Sequence, residues 1–533
     1  MVGSGEDGFR STLRSAALLI LAASVLGRFL GLARDLAVAY YFGAGADTDA
    51  FFLANRLPTL VSVSIAGALT ASLIPVFTQR YAVGRREEAW RLTVSMFNIT
   101  GLALLAFTAV SVVAAPWLVP LIGPGFDAPT TERAIYLFRI LMPLIVFAGL
   151  SGLATGMLNS MRRFGLPAVS TSLGTLVTLF ILLASARAWG LTGLAVATTA
   201  GAAACLLVLV PQLAKSGLPY RATIAWRDPG LRQVGGMIWP ILLGSGVGAA
   251  STFADQVLGS FLEPGSISAL SFSEKLFHLP LGLLVAAVAV PLFPLLSEHV
   301  AKDEPELLKT HLGFSLRIIA FMLIPASLGL IVLRTPVISL LFEHGEFTSE
   351  DTARTAWALL FYSMGLFPYA GRDILTRVFY AYHDTRTPIR ISVGAVVLNV
   401  GASIVLMRFL GVGGLALGTT IAFSANFLVL LYLLRRKIGP LGIGVLMRAF
   451  GRIVAASLVM SAAVWAIDRG LAGTVAPSDL GLAIRVGAAV AGGVVVYAAA
   501  AAVGRLPEIS ELKEMLMTMR KRRGEQPGLG PVE

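Results

Sequence analysis

The chain has 533 residues, 56% of them hydrophobic and only 14% charged, with a mean hydropathy of +0.80. Soluble domains carry far more charge, so the composition excludes an ordinary soluble enzyme and points to an integral membrane protein with many spans. The net charge of +12 sits mainly in short loops, which argues for membrane topology and against nucleic-acid binding, and a single cysteine, Cys205, excludes an intramolecular disulfide or a thiolate cluster.

A window of about 20 residues predicts about fourteen helical spans. They fall at 14–42, 48–78, 92–121, 134–160, 166–187, 190–213, 233–261, 266–297, 312–342, 353–381, 388–408, 412–434, 442–467 and 480–504. Ser15 to Ala23 has the length of a signal-peptide core, but the hydrophobic chain continues past it, so it reads as the start of the first span. The connections are short and leave no room for a soluble catalytic domain.

The first two spans carry the informative charges. Within Ser24–Pro58, Asp47 and Asp49 sit beside the glycines of a short loop, where water can reach them. Arg28, Arg34, Asp35 and Arg56 instead interrupt apolar runs of spanning length. Charge at that depth is costly and normally faces a bundle interior or an aqueous cavity. Three arginines beside one aspartate leave positive charge over, which suits an anionic ligand. The alternative is that the arginines snorkel to the headgroups or cap helix ends. Gly27 and Gly31 would let the first helix bend or break beside Arg28, as transporter helices do at central sites.

The loops predict the orientation. Seventeen basic residues fall in one alternating set of loops, from Arg80 to Lys437, against five in the other, at Arg133, Arg187, Arg354, Arg408 and Arg469. This positive-inside bias places both termini in the cytoplasm. An internal repeat accompanies it. DAFFLANRLP (Asp49–Pro58) resembles SALSFSEKLF (Ser268–Phe277), and LIPVFTQRYA (Leu73–Ala82) resembles LFPLLSEHVA (Leu292–Ala301), both at an offset of 219 residues. RRFGLP near Pro167 and DTRTPI near Pro388 repeat the relation at nearly the same spacing. The expected fold is therefore an all-α integral membrane protein of two pseudo-symmetric six-helix lobes, 1–220 and 221–440, with two further helices over 441–505. In the basic tail, 506–533, Ile509, Leu512, Met515, Leu516 and Met519 share one helical face ahead of Arg520–Arg523, a pattern suited to anionic membrane lipids or to an ordinary solvated tail.

No zinc-binding HExxH, P-loop, nucleophile elbow or aspartate-rich metal–diphosphate cluster is present, so the sequence does not read as an enzyme. His383-Asp384 reads as a cap in a short loop. The second lobe places Asp255, Glu274 and Lys275 at membrane depth, and several guanidinium or ammonium groups can bracket a diphosphate. Glu274 and Lys275 could equally neutralise each other at a helix end. Arg372, Asp373 and Arg377 could line the same cavity, but their spacing favours pairing among themselves.

SVLGRFLGLARDLAVAYYFGAGADTDAFFLANRLP resembles the opening signature of the MurJ (MviN) lipid II flippases, within the multidrug/oligosaccharidyl-lipid/polysaccharide exporter superfamily. LFEHGEFTSEDT (Leu341–Thr352), YAYHDTRTPIRIS (Tyr380–Ser392) and GSISALSFSEKLFHLPLGLL (Gly265–Leu284) are similar to that family too, and the likeness runs from about residue 12 to 505. The resemblance implies two six-helix lobes with two extra helices. It also implies movement of lipid-linked peptidoglycan precursor, lipid II, from the cytoplasmic to the periplasmic leaflet of the bacterial inner membrane. Arg28, Arg34 and Asp35 match family positions lining a central cavity, and Asp49 matches the aspartate after the first loop. Arg56, Glu274 and Lys275 complete the expected substrate set. The chain departs from the family at SVSIAGAL, which lacks the usual arginine and glutamate, and at Glu274-Lys275 and His278, where relatives often show Asp-Arg and a glutamate.

Some relatives also carry a sodium site of two aspartates, an asparagine and a threonine. Asp255, Asn399 and Thr419 match three of these, and Ser403 stands in place of the second aspartate, so sodium or proton coupling is the expectation. Besides lipid II and membrane lipids, cell-wall synthesis proteins are candidate partners. The rival readings are another exporter of the superfamily, for lipid-linked oligosaccharide or cationic drugs, or a transport-inactive cell-wall scaffold. A drug exporter should show acidic or aromatic cavity residues where this first lobe is rich in arginine.

Overall fold

The structure is a computed structural model that describes residues 3–161, 163–215, 225, 227–282, 295–440, 442–475 and 478–508. Among these residues it is helical throughout, with no strand. The amphipathic face expected in the tail, and Pro294 of the repeat, lie outside the described residues. Among the described residues, nine helical stretches are long and apolar enough to cross a membrane, one of them Gly165–Lys215, whose 51 residues hold two of the expected spans. The chain divides into two packing units, Met1–Ser271 with Phe342–Asp351, and Phe272–Leu341 with Thr352–Glu533.

The first unit contains α1 (Gly3–Phe42), α2 (Ala46–Ala82), α3 (Arg86–Ile122), α4 (Ala128–Leu141), α5 (Leu144–Ser160), α6 (Gly165–Lys215) and α7 (Pro229–Gly259). Its core joins Leu73 and Phe77 of α2, Trp90 and Leu92 of α3, Leu153 and Met157 of α5 and Leu209 of α6. Helices in lipid gain little from burying apolar surface against each other, so they pack through small residues that let backbones approach. Here Gly152 of α5 lies against the backbone of Ala66, and Thr70 donates to its carbonyl at 2.8 Å.

The expected span 134–160 is two helices, because Pro143 lacks an N–H and cannot continue the ladder. The carbonyl of Ile140, beside the break, accepts from Thr199 Oγ1 of α6 at 3.0 Å. α6 itself reverses on a single residue, Gly190, at φ 54° and ψ −138°. Only glycine holds such a conformation without strain, and the two arms then lie together, with Gly193 against Ser185 and Gly201 against Gly174.

The second unit holds most of α8 (Ser266–Pro280), then α9 (Pro305–Phe342), most of α10 (Ser349–Met364), α11 (Leu366–Ala381), α12 (Arg386–Leu410), α13 (Val412–Ile438), α14 (Ile443–Ala472) and α15 (Asp479–Val503). The same local devices recur. The expected span 353–381 breaks at Gly365, where Thr420 Oγ1 of α13 donates to the Phe361 carbonyl at 2.8 Å. α12 reverses into α13 on Gly411, at φ 55° and ψ −129°. Thr199 and Thr420, Ile140 and Phe361, and Gly190 and Gly411 are each 221 residues apart. The repeat therefore reaches the level of single hydrogen bonds. α14 and α15 pack on α9 through Ile453, Met460 and Ala489, and the Tyr497 hydroxyl donates to the Phe321 carbonyl at 2.8 Å.

Two glycine contacts secure the basic-poor end of the first unit. Gly345, at φ +63°, lies against Tyr40, whose carbonyl accepts from Glu346 N at 2.9 Å. Gly125, in the loop after α3, lies against the backbone of Ser260 and Phe261, and its N–H donates to Ser260 Oγ at 3.1 Å.

Candidate functional site

α1 runs as one helix from Gly3 to Phe42, with no break at Gly27 or Gly31, the two glycines that would permit a bend there. Gly27 packs against Ser172 of α6, whose Oγ donates to the Ala23 carbonyl at 2.8 Å. Arg28 is exposed on this helix. Arg34 bends back onto its neighbour, with Nη2 and Nε 2.8 and 3.1 Å from Asp35 Oδ1. Asp35 thus pairs with Arg34 on the same helix, within a set of three arginines and one aspartate.

Asp47 and Asp49, expected together in a wet loop, part company. Asp47 is exposed and pairs with Arg133. Asp49 is 2% exposed, and its carboxylate caps the start of α8. Gly265 N donates to Oδ2 at 2.7 Å, and Ser268 N and Oγ donate to Oδ1 at 2.7 and 2.5 Å. A carboxylate at a helix N-terminus satisfies amides that have no partner within the helix and meets the positive end of its dipole. Arg56 lies seven residues further on, about two turns deeper on the same face of α2, and is half-buried.

On α8, Glu274 faces His278, with Oε1 4.0 Å from Nε2, and the Lys275 ammonium sits over the Phe272 ring at 5.2 Å. On α11, Asp373 pairs with Arg377 at 3.0 Å, as the spacing suggested. Arg372 does not join them: its guanidinium lies over Tyr369 at 4.8 Å and Phe423 at 5.4 Å. Asp384 is a cap, accepting from Thr387 N at 3.1 Å and Thr387 Oγ1 at 2.9 Å. Burial pushes its carboxyl up, but these bonds and Lys437 hold it below the ordinary aspartate value.

The second unit brings Asn399, Ser403 and Thr419 together, all buried. Ser403 Oγ donates to Asn399 Oδ1 at 2.8 Å, and Asn399 Nδ2 donates to Thr419 Oγ1 at 3.2 Å. The trio engages its own oxygens and supplies no carboxylate, whereas hard cations favour negatively charged oxygen ligands. By themselves these three residues do not fit a sodium cage. Asp255, the expected fourth member, is 3% exposed and belongs to the first unit.

The family model for the lipid II flippase MurJ matches residues 38–480. The chain belongs to the MurJ family. A probable lipid II flippase MurJ of Vibrio cholerae is 31% identical over 437 residues, covering 78% of this chain and 82% of the relative. A second, from Haemophilus influenzae, is 29% identical and covers 83% and 90%. Among solved structures, a lipid II flippase MurJ in an inward closed conformation matches with a TM-score of 0.78 at 25% identity, over 91% of this chain and 98% of that one. An inward-facing multidrug resistance transporter of the MATE family matches with a TM-score of 0.69 at 17% identity, over 80% of this chain and 98% of that one, which speaks for the shared fold alone. The MurJ fold is all-helical and multi-pass, and this chain shares it.

Motif reasoning singled out Arg28, Arg34, Asp35 and Arg56 as candidates because each interrupts an apolar run. It missed the capping role of Asp49, whose partners lie more than 200 residues away, and the stacking of Arg372.

Proposed function

We propose that this protein is a lipid II flippase, not an enzyme, which carries lipid-linked peptidoglycan precursor from the cytoplasmic to the periplasmic leaflet of the bacterial inner membrane by alternating access. Both termini lie in the cytoplasm. The observation that carries the reading is the family match over residues 38–480, which includes Arg56 and the α8 charges. Arg28 and Arg56 attract the diphosphate, with Arg34 poised by Asp35. A guanidinium offers a planar fork of donors that matches phosphate oxygens, and several of them bracket the charge of a diphosphate. Asp49 orders the start of α8, the helix that presents Glu274 and Lys275.

No ATP-binding motif is present, so the driving force is a gradient, the membrane potential or consumption of the product. A net positive site couples the empty carrier to the potential at about 2.3 kcal/mol per charge per 100 mV. The test is complementation of a bacterium depleted of its own lipid II flippase, at matched expression. Wild type should restore growth, and Arg28→Ala and Arg56→Ala should not. A well-expressed wild type that fails to rescue overturns the function, and rescue by both variants overturns the site.

A further inference from the structure

The second unit holds a polar patch that the diphosphate reading does not use. α11 meets the loop at Tyr382 on the basic side, so Arg372 lies ten residues, about 15 Å, inside that end. α8 starts at Ser266 on the opposite side, which puts Glu274 and His278 about 12 and 18 Å in. With a hydrocarbon core about 30 Å thick, all three sit near mid-depth. The side chains of His278 and Glu274 are nevertheless 46% and 30% exposed, and those of Asp373 and Arg377 44% and 38%. Charges at that depth normally face a bundle interior or an aqueous cavity, not lipid.

The patch is also built rather than incidental. The His278 ring meets the Tyr369 ring edge-on at 5.7 Å, and Tyr369 meets Phe423 at 5.0 Å. Arg372 lies across the latter two rings. A guanidinium over aromatic faces is held there by cation–π attraction, and it carries five N–H donors in a planar fork suited to a carboxylate. The internal repeat adds an independent observation. At the same offset of 221 residues, Arg372, Asp373 and Arg377 of α11 correspond to Ser151, Gly152 and Gly156 of α5. The scaffold is therefore built without these charges in the first copy, and their presence in the second is not a demand of packing.

We propose that Arg372, held on Tyr369 and Phe423 beside Glu274 and His278, forms a subsite for the peptide portion of the lipid-linked precursor, with its carboxylate on Arg372. This rests on the flippase reading. The mixed signs of the patch decide the ligand. A diphosphate favours surplus positive charge, whereas Glu274 and the Asp373–Arg377 pair suit a peptide that carries amide donors as well as carboxylates. Sugar rings would stack on open aromatic faces, and here the faces of Tyr369 and Phe423 hold the guanidinium.

The experiment measures binding of two ligands to the purified full chain in lipid nanodiscs: the lipid-linked disaccharide precursor with its peptide, and the same molecule with the peptide removed. Wild type should bind the intact precursor about tenfold more tightly, the weight of one charge-assisted hydrogen bond. Arg372→Gln should lose that preference while binding the peptide-free ligand as wild type does. Arg372→Lys, which keeps the charge without the planar fork, should show a reduced preference and carries the test should the glutamine variant fail to assemble. A preference that survives Arg372→Gln, or an equal loss for both ligands, overturns the proposal. Wild type that binds both ligands equally overturns the subsite and leaves the flippase reading standing; wild type that binds neither overturns both.

Discussion

Asp49 and Ser268 occupy the same position in the two copies of the internal repeat, 219 residues apart, and are hydrogen-bonded to each other. A residue can touch its own counterpart only on the axis that relates the two copies of the segment. The sequence has diverged there so that one copy supplies an acceptor and the other a donor. Asp49→Asn keeps one oxygen but turns an NH₂ group toward a donor. It should cost about 2 kcal/mol, within the range for hydrogen bonds to charged groups. The readout is the apparent melting midpoint of the purified protein. Asp47→Asn, at the exposed pair with Arg133, should cost under about 1 kcal/mol.

Gly345 and Gly125 are fixed by contact with another segment's backbone. A Cβ on Gly345 would strike the Tyr40 carbonyl, and one on Gly125 would come 2.6 Å from Phe261 N. Gly345→Ala should therefore detach the loop from α1. With Cys205 replaced by serine and a cysteine introduced in place of Glu346, the variant should react with a membrane-impermeant maleimide several-fold faster than its parent. Gly67→Ala, with nothing within 4 Å, should leave the rate unchanged.

The pair Arg80–Asp228 gives a pH signature. The Arg80 Nη1 and Nη2 donate to the Asp228 carboxylate at 2.8 and 2.5 Å, which holds that carboxyl below the ordinary aspartate value of 3.8. Because the folded value is depressed, the stabilisation is present in full above the ordinary value and is lost as pH falls through the folded one. Arg80→Ala should lower the melting midpoint by a constant amount from pH 8 to about 5, equivalent to about 1–2 kcal/mol for a bidentate pair. The gap between variant and wild type should close below about pH 4.

Thr199 and Thr420 each serve a carbonyl at a broken span. Thr420→Val keeps the shape and removes the donor to Phe361, and Thr199→Val does the same at Ile140. Each should cost about 0.6–1 kcal/mol, the scale of side-chain hydrogen bonds between membrane helices. The double variant, with the two sites in separate units, should show the sum in the melting midpoint.

Hydropathy and loop charge made the helices legible, since apolar length is all that a span requires of its sequence. The breaks at Pro143 and Gly365 were harder, because proline and glycine are tolerated inside spans whenever a neighbour satisfies the freed backbone, and the neighbour is not visible in a linear reading. Thr199 shows why: a threonine that bonds across to another helix looks identical in sequence to one such as Thr198, which bonds back to Leu194 of its own helix at 2.8 Å. At the site, Arg28 and Arg56 stood out by depth alone. Arg372 looked like a member of an ion-paired trio with Asp373 and Arg377, because charge spacing was legible and the approach of Phe423 from α13 was not.

The reversal at Gly190 has a bearing on how the protein is made. With only a one-residue turn at Gly190 between its two arms, α6 offers the insertion machinery no extended loop to leave behind on the far side of the bilayer. The arms must enter as a preformed hairpin, and Gly411 sets the same requirement for α12 and α13 later in synthesis. Epitope tags, protease sites and fluorophores therefore belong in other loops, and a substitution at either glycine would appear first as a failure of biogenesis.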